Sequence, residues 1–269
     1  MYNEQDYNNG FLNATSIVGK VAFLLLVLFI FVIVLRVSIQ LIMSIVNAFK
    51  SPLLINGMVN AKQMVIIPQD PSIKDSKTIL RSVNQDGGIE FTWSVWILID
   101  DLQYGAGQYK HIFHKGNDSI ATNGLNFPNN GPGLYIAPNT NELVVIMNTF
   151  NVINEEITIS DIPLNKWINV IVRCRNTTID IYINGVVTKS VKLLGVPKQN
   201  YGNVYVAMNN GFSGYLSNLA YYNHAISTSE IREIMQKGPN TNMAAAGANP
   251  KDKSNLDYLS LRWYFYGSQ

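Results

Sequence analysis

The chain has 269 residues, 47% of them hydrophobic and 14% charged, against roughly 25% charged in an ordinary soluble domain. A net charge of +2 leaves no electrostatic footprint for a phosphate backbone, so nucleic acid is excluded as a partner class. One cysteine, Cys174, and three histidines exclude a disulfide-stapled fold, an all-cysteine zinc site and a histidine-rich metal centre.

A short polar tail, residues 1–15, leads into the greasiest stretch of the chain. Val21 to Leu35 is fifteen apolar residues in a row. As a helix it would be about 22 Å long, short of a ~30 Å hydrocarbon core, so the span must draw on its neighbours and cover about residues 16–39. Val21, Leu25, Phe29 and Ile33 are anchor residues for a lipid bilayer, and Lys20 and Arg36 can snorkel to the headgroups. A buried core helix would show a polar face at helical spacing, which this run lacks. A cleaved signal peptide finds a matching small-residue site at Val46-Asn47-Ala48, but the apolar stretch before it is too long and Arg36 interrupts it. An uncleaved single-pass anchor is the expectation.

Beyond Arg36 the pattern becomes amphipathic. Arg36, Gln40, Ser44 and Asn47 form one polar stripe, which predicts a helix continuing to about Lys50 and stopped by Pro52. The stripe fits an interfacial helix and a stalk that meets another protein equally well. Residues 16–50 thus read as transmembrane helix plus stalk. Lys20 on one side faces Arg36, Lys50 and Lys62 on the other, and the tail carries Glu4 and Asp6. The positive-inside rule therefore places the C-terminal part in the cytoplasm, and the lone cysteine agrees with a reducing compartment. Sequons at Asn13, Asn117 and Asn176 carry no weight, because 32 asparagines make such matches common by chance.

Residues 51–76 read as a connector with Pro52, Pro68 and Pro71 around a candidate strand, Met64 to Ile67. The hydrophobic period then changes to two. Phe91, Trp93, Val95, Ile97 and Ile99 alternate along one strand. Further strands are predicted over Tyr109 to His114, Gly133 to Ala137, Glu142 to Asn148, Glu156 to Ser160, Trp167 to Cys174, Thr178 to Ile183, Val186 to Leu193, Asn203 to Met208 and Gly214 to Tyr222. Many short strands separated by Asn, Gly and Pro predict an all-β sandwich over residues 77–238. Asn184-Gly185 is the clearest hairpin signal. Ile168, Val170, Val172 and Cys174 share a face, which makes Cys174 an inert core residue. Ser227 and Glu230 form a capping box for a short helix that ends at Gly238-Pro239.

Pro163-Leu164-Asn165-Lys166-Trp167, then Ile168 to Val172, then Ile181-Tyr182-Ile183-Asn184-Gly185 resemble the central signature of the laminin-G-like, concanavalin A-like lectin family. Phe212-Ser213-Gly214-Tyr215 is similar to the family's closing strand, and Phe91-Thr92-Trp93 to its first core strand. The resemblance implies a jelly-roll sandwich of two antiparallel sheets, so the whole chain reads as all-β preceded by one long N-terminal transmembrane helix. Its signature residues are given structural roles: Trp167 plugs an end of the sandwich where the sheets splay, Asn184-Gly185 make a tight turn, and Gly211 and Gly214 let the closing strand bend.

Sugar-cleaving relatives carry Glu-x-Asp-x-x-Glu on one strand, a spacing that does not occur here. Asp100-Asp101 and Glu155-Glu156 are adjacent pairs that point to opposite faces. His111 and His114 are odd-spaced, so a regular strand sends them apart, and they read as solvent-facing or loop histidines. No catalytic residue is assigned. Calcium is the ion the family implies. The loop Gly116 to Pro132 offers oxygen donors but a single carboxylate, Asp118, so Asp118 is a weak metal candidate and no cofactor is expected. The same loop is the natural variable surface for a ligand.

Residues 239–257 read as a flexible linker. In the closing segment, residues 258–269, Tyr258, Arg262, Trp263, Tyr264, Phe265 and Tyr266 have the composition of a docking anchor. The reading that follows is a non-enzymatic, membrane-anchored structural or interaction protein. Heavy Asn, Ile and Tyr use points to an AT-rich genome, such as that of a large DNA virus or a protist. With a cytoplasm-facing sandwich, this predicts a virion component linking an inner membrane to capsid proteins. The alternative is a surface carbohydrate-binding receptor or adhesin; a glycoside hydrolase is the least favoured.

Overall fold

The computed structural model describes residues 17–50, 53–73 and 76–244, with the backbone alone over 43–50. The expected polar tail, Asn13, most of the linker and the aromatic segment with Tyr258, Arg262, Trp263, Tyr264, Phe265 and Tyr266 lie outside the described residues. Contacts divide the chain into two units, Met1–Phe49 and Lys50–Gln269.

The first unit holds one helix, α1 (Ile17–Lys50). Its leucine-rich interior contains no proline, and Pro52 stands just past its end, where the ring disfavours helical backbone at the preceding residue. Within α1, Ile17–Ile42 is long and apolar enough to cross a membrane, and none of that window is buried. Twenty-six helical residues span about 39 Å, more than the ~30 Å core. Val21, Leu25, Phe29, Ile33, Lys20 and Arg36 are all exposed.

The second unit is a sandwich. Its strands are β1 (Met58–Asn60), β2 (Val65–Ile67), β3 (Val83–Gln85), β4 (Gly88–Asp101), β5 (Lys110–Gly116), β6 (Asn130–Ile136), β7 (Glu142–Met147), β8 (Glu155–Ser160), β9 (Trp167–Asn176), β10 (Thr178–Ile183), β11 (Val186–Lys192), β12 (Asn203–Val206) and β13 (Ser213–Tyr222), followed by α2 (Thr228–Lys237). One sheet has seven strands in the order β1-β13-β4-β9-β10-β11, with β3 added on β4; the other has six, β2-β12-β5-β6-β7-β8. Every pairing is antiparallel.

Period-two alternation decides what fills the space between the sheets. Phe91, Trp93, Val95, Ile97 and Ile99 from β4 and Ile168, Val170, Val172 and Cys174 from β9 belong to the main core, with Leu134, Leu143, Val145 and Val206 from the facing sheet. Cys174 is buried as expected, and burial pushes its thiol up to about 12. Trp93 stacks on Phe113 at 5.2 Å and leans on Tyr221 at 5.0 Å.

The outer face of the seven-stranded sheet is covered too. Ile171 and Tyr182 pack under Ile226 and Ile231 of the α2 segment. Arg173 clamps that segment by donating to the Ile226 carbonyl at 3.0 Å while pairing with Asp180 at 2.8 Å. Ser227 and Glu230 form the expected capping box, and Gly238 closes the helix with φ 66°.

Two expectations need correction. The connector is structural from residue 53 on: Leu54 and Ile55 are buried and β1 pairs β13, while the strand expected over Met64 to Ile67 is present as β2 and pairs β12. The start of the linker is also part of the sandwich, since Met243 bridges Met58 and Asn240 exchanges hydrogen bonds with Ser217. Trp167, expected to plug an end of the sandwich, is half-buried at the start of β9, and the fully enclosed tryptophan among the described residues is Trp93.

Asn184 and Gly185 have φ 51° and 79°, the paired positive angles of a tight β10–β11 hairpin turn. Gly214 has φ 142°, and a Cβ there would lie 1.9 Å from the Leu98 carbonyl oxygen. Gly214→Ala is therefore expected to lower unfolding free energy by about 2 kcal/mol. Gly238→Ala, with nothing within 4 Å, meets no clash and is expected to cost only the strain of a side chain at φ 66° and ψ −173°, about 1 kcal/mol. Urea unfolding of the full chain in detergent checks both, and equal midpoints would contradict the close approach at Gly214.

Candidate functional site

Two regions of the sandwich carry chemistry. The first lies on the outer face of the six-stranded sheet. His111 and His114 are 1% and 0% exposed, contrary to their expectation as solvent-facing residues on opposite faces. The register of β5 against β6 shifts between His111 and Phe113. The extra residue, Ile112, turns into the core with Phe113, so strand parity flips and both imidazoles emerge on one side.

Their hydrogen bonds run in one direction. The Met208 N–H donates to His111 Nδ1 at 3.0 Å, so the His111 proton sits on Nε2. That proton is donated to His114 Nδ1 at 2.6 Å. His114 Nε2 in turn donates to the Asn117 carbonyl at 2.7 Å. Every ring nitrogen is satisfied only while both rings are neutral, because an added proton would set N–H against N–H. Burial pushes His114 down to about 4. Burial, reinforced by His114, holds His111 well below the usual histidine range. Tyr205 stacks on His114 and Tyr135 meets His111 edge-on; neither ring contact brings a carboxylate. The pair is a structural relay joining the β12–β13 loop to the β5–β6 loop.

The β5–β6 loop is correspondingly ordered. The Tyr135 hydroxyl donates to Asn130 Oδ1 at 2.7 Å and accepts from the Asn126 N–H at 3.2 Å. Asn126 Nδ2 donates to Asn117 Oδ1 at 3.0 Å, and the Leu125 N–H to Asn123 Oδ1 at 3.1 Å. Of the oxygens that made this loop a calcium candidate, Asn117 Oδ1 and Asn123 Oδ1 are thus engaged internally, while Asn126 Oδ1 is buried without a partner. Asp118 is exposed, and among the described residues no group of three or more His, Cys, Asp or Glu side chains could hold a metal. Asp100, Asp101 and Glu156 are exposed as well. Glu155 Oε1 accepts the Leu194 N–H at 2.7 Å.

The second region is the end of the sandwich where residues 126–131, 148–154 and 193–203 meet. The Phe150 N–H donates to the Val196 carbonyl at 3.0 Å, Thr149 bridges Pro197, and Asn151 Nδ2 donates to the Leu194 carbonyl at 2.8 Å. The Asn148 N–H donates to the Asn130 carbonyl at 2.9 Å, and its side chain to Pro128. These bonds hold large apolar side chains outward: Phe150, Leu194 and Tyr201 are 71%, 74% and 70% exposed. Lys115 and Lys198 line a small cavity at this end, with Ser82, Asn200, Tyr221 and Trp93. Lys115 Nζ donates to the Gly202 carbonyl at 2.6 Å, and burial pushes it down to about 8.

Of the signature residues, Trp93, Phe212 and Gly214 line the interior, Tyr182 packs outward under α2, and Asn184 and Gly185 make the turn. Sequence reasoning missed the outward apolar rim because isolated Phe, Leu and Tyr residues in loops carry no periodicity. A sign was available in hindsight: the three rim stretches contain one charged residue, Lys198.

A family model for the concanavalin A-like lectin/glucanases superfamily, of laminin-G type, matches residues 74–232. Among solved structures, the chain is similar to the receptor-binding domain of botulinum neurotoxin D, at 14% identity and TM-score 0.47 over 69% of this chain and 43% of that one. It is also similar to the botulinum neurotoxin type G receptor-binding domain, at 14% identity and TM-score 0.42 over 67% and 46%. A third is the binding domain of botulinum neurotoxin DC in complex with rat synaptotagmin II, at 17% identity and TM-score 0.46 over 65% and 40%. The chain spans less than half the length of each of these three. No curated protein sequence matches it.

Proposed function

Because the chain belongs to the concanavalin A-like lectin/glucanases superfamily, we propose that it is a non-enzymatic interaction protein whose sandwich is held at a membrane by α1. The observation that carries this is the fully exposed apolar helix Ile17–Ile42 preceding a sandwich of the family. In water, such a surface would stay unburied; in a bilayer it is satisfied. The basic residues after the span favour a cytoplasm-facing sandwich. The non-enzymatic reading is supported by the placement of the adjacent carboxylate pairs: Asp100, Asp101 and Glu156 are exposed, and Glu155 is engaged with a backbone N–H.

Side-chain geometry also argues against a secreted, glycosylated form. The Asn117 amide accepts from Asn126 and donates to the Phe127 carbonyl at 3.4 Å, so both of its ends are turned into the loop. Asn176 is exposed in the β9–β10 turn with φ 58° and is the more open reporter. The finer form of the proposal is a virion component that links an inner membrane to capsid proteins, supported by the Asn-rich composition and the predicted orientation.

The full chain expressed in cells is expected to stay in the membrane pellet after alkaline carbonate. A C-terminal epitope should be cleaved by protease only after permeabilisation. Release by carbonate would end the anchor reading, while cleavage on intact cells or a glycan on Asn176 would favour the carbohydrate-binding receptor. For the finer form, the protein should co-purify with capsid proteins from particles, and its absence from them would remove that role.

A further inference from the structure

We propose that the sandwich end formed by residues 126–131, 148–154 and 193–203 is a second membrane contact, which lays its apolar loop tips into the interface of an anionic bilayer. The proposal rests on the anchor reading and adds a surface to it.

The tips are Phe127, Phe150, Ile153, Leu194, Val196 and Tyr201, all exposed. Contiguous exposed apolar side chains on a folded domain mark an interaction surface, and these come from three loops stitched together by the backbone and asparagine bonds described above. Because those bonds already fix the loops, little ordering entropy opposes insertion. Tyrosine and phenylalanine suit the headgroup boundary, where an apolar body and a polar tip are both satisfied.

Charge agrees with this occupant. Lys198 is the one charged residue within the three stretches and stands over the Phe150 ring at 5.4 Å, where a cation can meet an anionic headgroup beside an inserted aromatic. Asp118 borders the rim at Phe127, and Glu155 borders it while held by Leu194. A cytoplasm-facing sandwich meets the anionic leaflet. Only residues 43–52 separate the end of the apolar span from Leu53, the first described residue of the sandwich. So short a connection, most of it a continuation of α1, keeps the sandwich as a whole close to the bilayer, where weak insertion suffices. An extended peptide or the chain's own aromatic segment would call for a groove, whereas these side chains project from loop tips.

The test uses full-length protein reconstituted in phosphatidylcholine vesicles with and without phosphatidylserine. An environment-sensitive dye is placed on Leu194→Cys, and on Val187→Cys as an exposed control near the opposite end of β11. Buried Cys174, its thiol pushed up to about 12, stays unlabelled. Nitroxide lipids are expected to quench the Leu194 dye by about twofold with phosphatidylserine present and to leave the Val187 dye unchanged. Lys198→Gln should lower the docked-to-free ratio about fivefold.

A Leu194 dye that stays in water while the protein resists carbonate overturns the rim and leaves the anchor standing. Loss of carbonate resistance overturns the anchor itself. A Leu194 dye already shielded from iodide in detergent means that a protein segment covers the rim, which also overturns the proposal.

Discussion

Trp93→Ala is expected to lower the unfolding free energy of the sandwich by about 3–5 kcal/mol, and Trp167→Ala by less than half of that. Trp93 is 1% exposed and its ring is held between Phe113 and Tyr221, so truncation leaves a cavity between two hydrogen-bonded sheets that cannot close over it. The aromatic contacts add about 1 kcal/mol beyond burial. Trp167 is half-buried, and solvent can fill what its removal leaves. Urea unfolding in detergent, followed by fluorescence of the remaining tryptophans, separates the two. Equal losses would mean that Trp167, at its end of the sandwich, carries as much packing as the enclosed Trp93.

Acid is expected to destabilise the sandwich before its carboxylates titrate. His114 is neutral in the native state down to about pH 4, whereas in the unfolded chain it takes up a proton below about pH 6.5. The unfolded state thus binds more protons in this window, and stability rises with pH. The contribution is complete above about pH 6.5 and declines as pH falls toward 4. The loss amounts to about 2 kcal/mol by pH 5 and about 3 kcal/mol at lower pH from His114 alone. His111, also held below its usual range, acts in the same direction.

The measurement is the urea midpoint between pH 7.5 and pH 5 for the native chain and for H111Q/H114Q. Glutamine can both donate and accept, so the double variant should fold and show a nearly flat profile across that range. A native chain whose midpoint does not move between pH 7.5 and pH 5 would show that the two rings are not held neutral.

Much of the architecture was legible because strand geometry obeys parity. Once Phe91 to Ile99 and Ile168 to Cys174 alternate, their inward residues follow from a two-residue period. The Asn184-Gly185 turn and the Ser227–Glu230 capping box are equally local, since each depends on residues within one turn of chain. The apolar run of α1 needed no partner to be recognised.

Other features depended on contacts distant in sequence. A three-residue strand such as Met58–Asn60 has no periodicity of its own and exists because β13 offers an edge to pair with. The inserted Ile112 reverses parity halfway along β5, and only the register against β6 shows it, so the histidine relay was invisible to spacing arguments. The same holds for the rim, whose apolar tips come from stretches up to 77 positions apart and form one surface only when the loops bind one another. Local backbone rules therefore set the strand faces, the turns and the anchor, while the relay and the rim arise where distant segments meet.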